Sequence, residues 1–127
     1  VAINLMDARI PDNTGYQPID EPIAPDGPAA YFSTLPVKAI AERIQSAGLP
    51  AVVSNTAGTY VCNNLLYTLL HTAALEYPGL RGGFLHVPYA IEQLPGKPGD
   101  TFGMKLCDIA RALTCAVEAI AEHLLER

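Results

Sequence analysis

Short apolar runs alternate with longer segments of helical periodicity along this chain, and that alternation limits the possible folds more than any other feature. The apolar runs lie at residues 1–7, 51–54 and 83–87, and the helical segments lie at 34–47, 62–75 and from about Thr101 onward. The order is strand, loop, helix, strand, helix, strand, helix. It predicts an α/β fold in which helices pack on both faces of a largely parallel sheet.

The predicted helices have recognisable ends and apolar faces. Thr34 is expected to cap the first helix, with Pro36 in its first turn and Gly48 as its stop. The final helix carries apolar residues at a 4-3-4-3-4 spacing, namely Leu106, Ala110, Leu113, Val117, Ile120 and Leu124. Residues 10–28 hold five of the 11 prolines and form a long loop, which indicates a functional surface or an interface.

The chain's length and charge limit its domain count and its partners. With 127 residues it is predicted to form a single domain, residues 1–127. A net charge of −5 disfavours nucleic acid and anionic membranes as partners, because both attract basic surfaces. Only 17% of the residues are charged, which suggests that another subunit or further chain covers part of the surface.

The start of the chain and its cysteines indicate which cellular compartment suits the protein. No apolar run approaches the roughly 20 residues that span a bilayer, and the first residues lack the basic segment of a signal peptide. The chain begins without Met inside an apolar stretch, so we expect N-terminal strands of the fold to precede Val1. Three widely spaced cysteines suit the reducing cytosol better than a disulfide framework.

Cys62 is the most informative residue for chemistry. It lies in the first turn of a predicted helix, where amide N–H groups and the helix dipole favour a thiolate. A free cysteine is more often a small buried apolar residue, and Cys62 alone favours that interpretation. His86 ends the next predicted strand, so both side chains are expected at the carboxyl edge of the sheet. The pair suggests a thiol nucleophile with a histidine base, against the alternative of a hydrogen-bonded core histidine.

Most other polar candidates favour structural roles. His71 is expected to pack or to face solvent, and His123 lies in a last helical turn, where a cation complements the dipole. Cys107 and Cys115 are eight residues apart, outside zinc-ligand spacings, so no metal site is predicted and no cofactor is expected.

Arg9 is a candidate for a functional role as well as for a solvated surface position. It is the only basic residue among the first 37 and directly follows a predicted strand. It is therefore also a candidate for anchoring the loop or stabilising an oxyanion.

Four stretches of the sequence resemble pyroglutamyl peptidase I, a cytosolic cysteine peptidase family also called pyrrolidone-carboxylate peptidase. They are Val-Ala-Ile-Asn-Leu-Met-Asp-Ala-Arg-Ile-Pro-Asp-Asn (1–13), Gly-Pro-Ala-Ala-Tyr-Phe-Ser-Thr-Leu-Pro (27–36), Ser-Asn-Thr-Ala-Gly-Thr-Tyr-Val-Cys-Asn (54–63) and Arg-Gly-Gly-Phe-Leu-His-Val-Pro-Tyr (81–89). They occur in the family's order and spacing and cover nearly the whole chain. Together they are far more specific than any single motif.

The resemblance implies roles for individual residues. Cys62 would be the nucleophile and His86 the general base and acid. Arg9 would assist the oxyanion, and Tyr60 and Val61 would border the pocket for the pyroglutamyl lactam. The glutamate that orients the histidine in the family would lie two residues before Val1. The family's N-terminal strand and loop, which contain glycine and phenylalanine and help form the pocket, would also precede Val1.

The resemblance also implies a fold and an assembly. The family's fold is a three-layer α/β/α sandwich, its members are commonly homotetramers, and in some relatives a cysteine of the last helix bridges two subunits, as Cys107 or Cys115 would here. The chain departs from the family at Asn64, where a His is frequent, and in the looser stretch 100–105. Only the start of the last helix is put in question by these departures.

Two classes of function follow from these interpretations. The first is a cytoplasmic omega-peptidase that removes the N-terminal pyroglutamyl residue from peptides through a thiolate acyl-enzyme. The second is a non-catalytic fragment or split-gene product that lacks the orienting glutamate and acts by association. A thiol redox protein is disfavoured, because the chain has no Cys-x-x-Cys pair.

Overall fold

A computed structural model describes residues 1–125 of the chain, which combine three helices with four short strands. The strands are β1 (Ala2–Ile3), β2 (Ala30–Tyr31), β3 (Tyr89–Ala90) and β4 (Gly103–Met104). The helices are α1 (Val37–Ser46), α2 (Val61–Glu76) and α3 (Leu106–Leu125), and a single 3-10 turn, Ile91–Gln93, follows β3. None of the helices within residues 1–125 is long and apolar enough to cross a membrane.

The described residues group into two compact units. The first unit contains Val1–Leu35 and Ser54–Phe84, and the second contains Pro36–Val53 and the residues from Leu85 on. The single domain expected from the sequence stays a prediction.

The first unit is built on helix α2. β1 and β2 pair antiparallel, with Ala2 opposite Tyr31 and Ile3 opposite Ala30. Ala2 packs in the core against one stripe of α2, which consists of Leu66, Tyr67 and Leu70. These helix residues recur at the spacing of one helical face, and burying that face stabilises α2 on the strand pair.

Hydrogen bonds order the long loop of the first unit. The Asn4 amide donates to the Ala24 carbonyl (2.7 Å) and accepts from the Ala24 N–H (2.9 Å), which ties β1 to the far part of the loop. Asp12 accepts hydrogen bonds from the Thr14 hydroxyl and N–H and from the Tyr16 N–H. These bonds, that from the Thr14 hydroxyl above all, lower the pKa of the Asp12 carboxyl.

The second unit pairs helices α1 and α3. Each helix buries a stripe, which is Ile40, Ala41 and Ile44 on α1 and Ile109, Ala116 and Ala119 on α3. Arg43 of α1 forms ion pairs with Glu118 (3.3 Å) and Glu122 of α3, and the hydrogen bond to Glu122 raises the pKa of Arg43. β3 and β4 pair in parallel.

Helix ends are partly as predicted. Gly48 follows α1 with φ of +80°, the left-handed conformation expected of a glycine stop, so that prediction is confirmed. Thr34 as the cap was wrong, because α1 begins at Val37 and Pro36 precedes it without a side-chain hydrogen bond. The Thr34 hydroxyl instead accepts the Gly82 N–H at 2.8 Å.

Two of the three predicted strands do not form within residues 1–125. Residues 51–54 do not form a strand. Val52 is 87% exposed, and the Ala51 carbonyl accepts a hydrogen bond from the Gln45 amide (2.7 Å). Residues 83–87 do not form one either, and β3 begins only after Pro88. A strand requires hydrogen bonds to a neighbouring backbone, and the Ala51 carbonyl bonds a side chain instead. The first predicted strand, 1–7, is shortened to Ala2–Ile3.

Candidate active site

Cys62 is the second residue of α2, so the prediction that it lies in the first turn of a helix is confirmed. Its side chain is half-buried. Backbone N–H groups of a first helical turn have no acceptor inside the helix and point toward the end that carries the positive dipole. Among the described residues, Tyr60 gives this helix end no side-chain hydrogen bond. Cys62 therefore lies at the end of α2 that carries the positive dipole.

Hydrogen bonds connect the segment before α2 to the segment that carries Arg9. The Asp7 N–H donates to the Thr59 carbonyl (3.0 Å), and the Thr59 hydroxyl donates to the Asp7 carbonyl (2.8 Å). Arg9 lies two residues beyond Asp7, at a bend, with an exposed side chain. The loop with Arg9 and the turn with Cys62 are thus held by one shared anchor.

Tyr60 and Val61 line a cleft of about 380 Å³ in the first unit, beside Cys62 in sequence. The cleft lies between the start of α2 and the long loop, and apolar side chains form most of its wall. The other lining residues are Met6, Asp12, Tyr16, Pro18, Thr59, Asn64, Leu65 and Thr68. Tyr16 donates to Glu21 (2.9 Å), a bond that raises the pKa of Tyr16, and Tyr60 donates to the Pro11 carbonyl (3.4 Å).

Asn63 is a residue of this region that the sequence analysis missed. It is 0% exposed, and its side chain makes three hydrogen bonds to the backbone of Ile3 and Leu5. One signal was present in the sequence. Asn63 occupies the same helical stripe as Leu66, Tyr67 and Leu70, and an amide on an apolar stripe needs polar partners.

The two histidines considered in the sequence within residues 1–100 are His86 and His71. His86 belongs to the second unit, where it lies in a segment without helix or strand and has an exposed side chain. Its pairing with Cys62 stays a prediction. His71 contacts the Tyr31 hydroxyl (2.8 Å) and stacks on Tyr67, which is the packing role expected for it.

The two cysteines of α3 differ in their exposure. Cys107 is exposed and Cys115 is half-buried. The subunit bridge that the resemblance implies for one of them stays a prediction.

Comparison with known sequences supports the resemblance. The family model described as pyroglutamyl peptidase matches residues 1–123. The chain is 67% identical over 127 residues to a pyrrolidone-carboxylate peptidase of Streptomyces coelicolor, covering all of this chain and 58% of the relative. It is 56% identical over 123 residues to a pyrrolidone-carboxylate peptidase of Streptococcus pneumoniae, covering 97% of this chain and 57% of the relative. The chain therefore spans less than two thirds of the relatives' length.

Comparison with solved structures gives the same result for the fold. A pyroglutamyl peptidase I of Bacillus amyloliquefaciens matches with a TM-score of 0.91 and 48% identity, over 96% of this chain and 58% of that chain. A pyrrolidone carboxyl peptidase of Thermococcus litoralis matches with a TM-score of 0.93 and 43% identity, over 98% and 59%. The predicted α/β class is confirmed by this similarity. With its family model, its relatives and its fold in agreement, the chain belongs to the pyroglutamyl peptidase family.

Proposed function

We propose that the protein to which these residues belong hydrolyses the bond after an N-terminal pyroglutamyl residue, with Cys62 as the nucleophile. The observation that carries this proposal is the position of Cys62 in the first turn of α2, in a chain of the pyroglutamyl peptidase family. The thiolate is the reactive form of cysteine. At a helix N-terminus its negative charge interacts favourably with the positive end of the helix dipole.

The reaction proceeds through an acyl-enzyme. His86 takes the proton of the Cys62 thiol, and Sγ bonds to the pyroglutamyl carbonyl carbon, whose oxygen becomes an oxyanion. When this intermediate collapses, the C–N bond breaks and the amine leaves with the proton from His86. Water then attacks the thioester and gives a proton to His86, the C–S bond breaks, and that proton returns to sulfur. The products are pyroglutamate and the shortened peptide.

The chemical groups of the substrate determine which side chains the site needs. A pyroglutamyl ring is a neutral lactam with an apolar edge, so apolar walls next to the nucleophile suit it. Tyr60 and Val61, the two residues that precede Cys62 in the sequence, line the largely apolar cleft. Arg9, on the segment anchored to Thr59, is assigned to the oxyanion, because a guanidinium donates strong hydrogen bonds to an anion.

Activity of the complete gene product on pyroglutamyl-aminomethylcoumarin tests the proposal. Cys62→Ser is expected to lower kcat by a factor on the order of 10³ or more, because the site is arranged for a thiolate. Cys107→Ser is the matched control, since Cys107 is an exposed thiol on another helix, and it should leave kcat unchanged. Iodoacetamide should label Cys62 fastest and abolish activity in proportion. Activity that survives full modification of Cys62 contradicts the proposal.

The assignment of His86 has a structural test. In a crystal structure of the complete protein, the Cys62 sulfur should lie within roughly 4 Å of a His86 ring nitrogen, since such contacts are often loose without substrate. Side chains that point to opposite faces of the sheet would exclude His86 as the base.

We further propose that the protein assembles as a homotetramer in the cytoplasm. Exposed apolar side chains along α3 support association, among them Leu106, Leu113, Val117 and Leu124. Light scattering coupled to size exclusion measures the mass, and a monomer at micromolar concentration contradicts the assembly.

A further inference from the structure

Asn63, which follows Cys62 directly, is the only buried polar residue among those that the structure describes. Its carboxamide oxygen accepts the Ile3 N–H at 3.0 Å, and its nitrogen donates to the Ile3 carbonyl (2.9 Å) and to the Leu5 carbonyl (3.2 Å). The side chain thus pairs with both backbone groups of Ile3, as a peptide group of a neighbouring strand would.

An amide at this position requires a reason other than packing. Asn63 shares its stripe of α2 with Leu66, Tyr67 and Leu70, which pack in the hydrophobic core. Burying a carboxamide is unfavourable unless its donors and acceptor are all satisfied. Here they are satisfied entirely by one backbone segment, from Ile3 at the end of β1 to Leu5. The amide therefore fixes one specific placement of α2 on that segment, which an apolar contact would not do.

The same segment holds α2 on the other side of Cys62. Thr59, three residues before the cysteine, exchanges two hydrogen bonds with Asp7, and Asn63 binds Ile3 and Leu5. Cys62 therefore lies between two anchors to one stretch of backbone, and that stretch continues to Arg9.

We propose that Asn63 is a positioning residue for Cys62. By pairing with Ile3 and Leu5 it fixes the first turn of α2, and with it the direction from which the sulfur meets the carbonyl carbon and the distance from Cys62 to Arg9. The inference rests on the proposed function for its effect on turnover. Displacing a reacting group by about 1 Å can lower a rate by about 10²-fold, so a small shift of this turn has a large effect.

The experiment uses Asn63→Leu in the complete gene product, a change that removes the three hydrogen bonds and keeps a side chain branched at Cγ. We expect kcat on the coumarin substrate to fall at least tenfold while KM stays within twofold. Tyr67→Phe is the matched control: Tyr67 is also 0% exposed, lies on the same stripe, and loses one hydrogen bond to the Pro28 carbonyl (2.7 Å). It should keep kcat within twofold. Both variants are measured under conditions in which circular dichroism shows that they are folded.

Two further measurements keep the test decisive. If Asn63→Leu does not fold, Asn63→Ser removes the carboxamide without burying a charge or a larger side chain, and the same separation of kcat from KM is expected. The rate of Cys62 labelling by iodoacetamide needs no peptidase activity, so it tests the positioning even if the proposed function fails. It should change at least threefold in the Asn63 variant and remain as in wild type in Tyr67→Phe. Equal effects of the two variants on kcat and on labelling overturn the inference.

Discussion

Replacing Gly27 with alanine tests how tightly the long loop packs on α2. A Cβ at this position would overlap the Tyr67 hydroxyl and lie 2.9 Å from the Ala24 Cβ. The Tyr67 hydroxyl has little freedom to move away, because its ring is wholly buried and it donates to the Pro28 carbonyl at 2.7 Å. The substitution therefore forces either the loop or the tyrosine out of place.

The size of the effect follows from these contacts. Overpacking a well-packed site costs about 1–3 kcal/mol. Displacing the tyrosine hydroxyl leaves a buried polar group without its partner, which costs about 1–3 kcal/mol more. Partial relaxation avoids the full sum, so we expect the free energy of unfolding to fall by about 2–4 kcal/mol. For a protein of about 150–250 residues this lowers Tm by roughly 5–15 °C.

Thermal and urea unfolding of the complete gene product, followed by circular dichroism, measures the change. Gly99→Ala is the control, since no heavy atom of the described residues, apart from Gly99 itself and its two chain neighbours, lies within 4 Å of the position that its Cβ would take. It should change the free energy of unfolding by less than about 1 kcal/mol. If Gly27→Ala is no more destabilising than Gly99→Ala, the loop is not packed on Tyr67 as described.

Three further predictions concern the site and its loop. Arg9→Ala should lower kcat by about 10²-fold and Arg9→Lys by less, because lysine keeps the charge; a change in KM alone contradicts the oxyanion role. The native pKa of Asp12 lies below its ordinary 3.8, so the turn gains its stability above that pH and loses it as pH falls through the native value. Limited proteolysis of the loop should therefore speed up in acid, and less so in Asp12→Asn, which keeps the acceptor without titrating. The 127 residues alone should not cleave the coumarin substrate, because the orienting glutamate that the resemblance implies precedes Val1, and measurable turnover by them refutes this.

Local patterns in the sequence predicted the features that depend on neighbouring residues. Helix α2 was expected over residues 62–75 and runs Val61–Glu76, because its apolar stripe and its flanking turn are read within one helix. Gly48 ends α1 for the same local reason, since a left-handed residue suits glycine.

Features that depend on residues far apart in the sequence could not be predicted from local patterns. The Thr34 hydroxyl accepts a hydrogen bond from the N–H of Gly82, 48 residues away, instead of capping α1. Asn63 bonds Ile3 across 60 residues. Strands are equally non-local, since residues 51–54 have strand composition without a paired backbone in the described chain. The helix pattern indicated that Cys62 lies in a first helical turn, and the resemblance then implied specific catalytic roles for Cys62 and Arg9.

The bond between Asn63 and Ile3 also orders events in folding. Ile3 and Asn63 are 60 residues apart, so closing this loop requires most of the first unit to be synthesised. At about 5–20 residues per second, β1 waits several seconds on the ribosome before the amide that completes its hydrogen bonds emerges. The position of Cys62 in the first turn of α2 therefore depends on a contact that spans 60 residues, and this turn takes its described place only when β1 has docked.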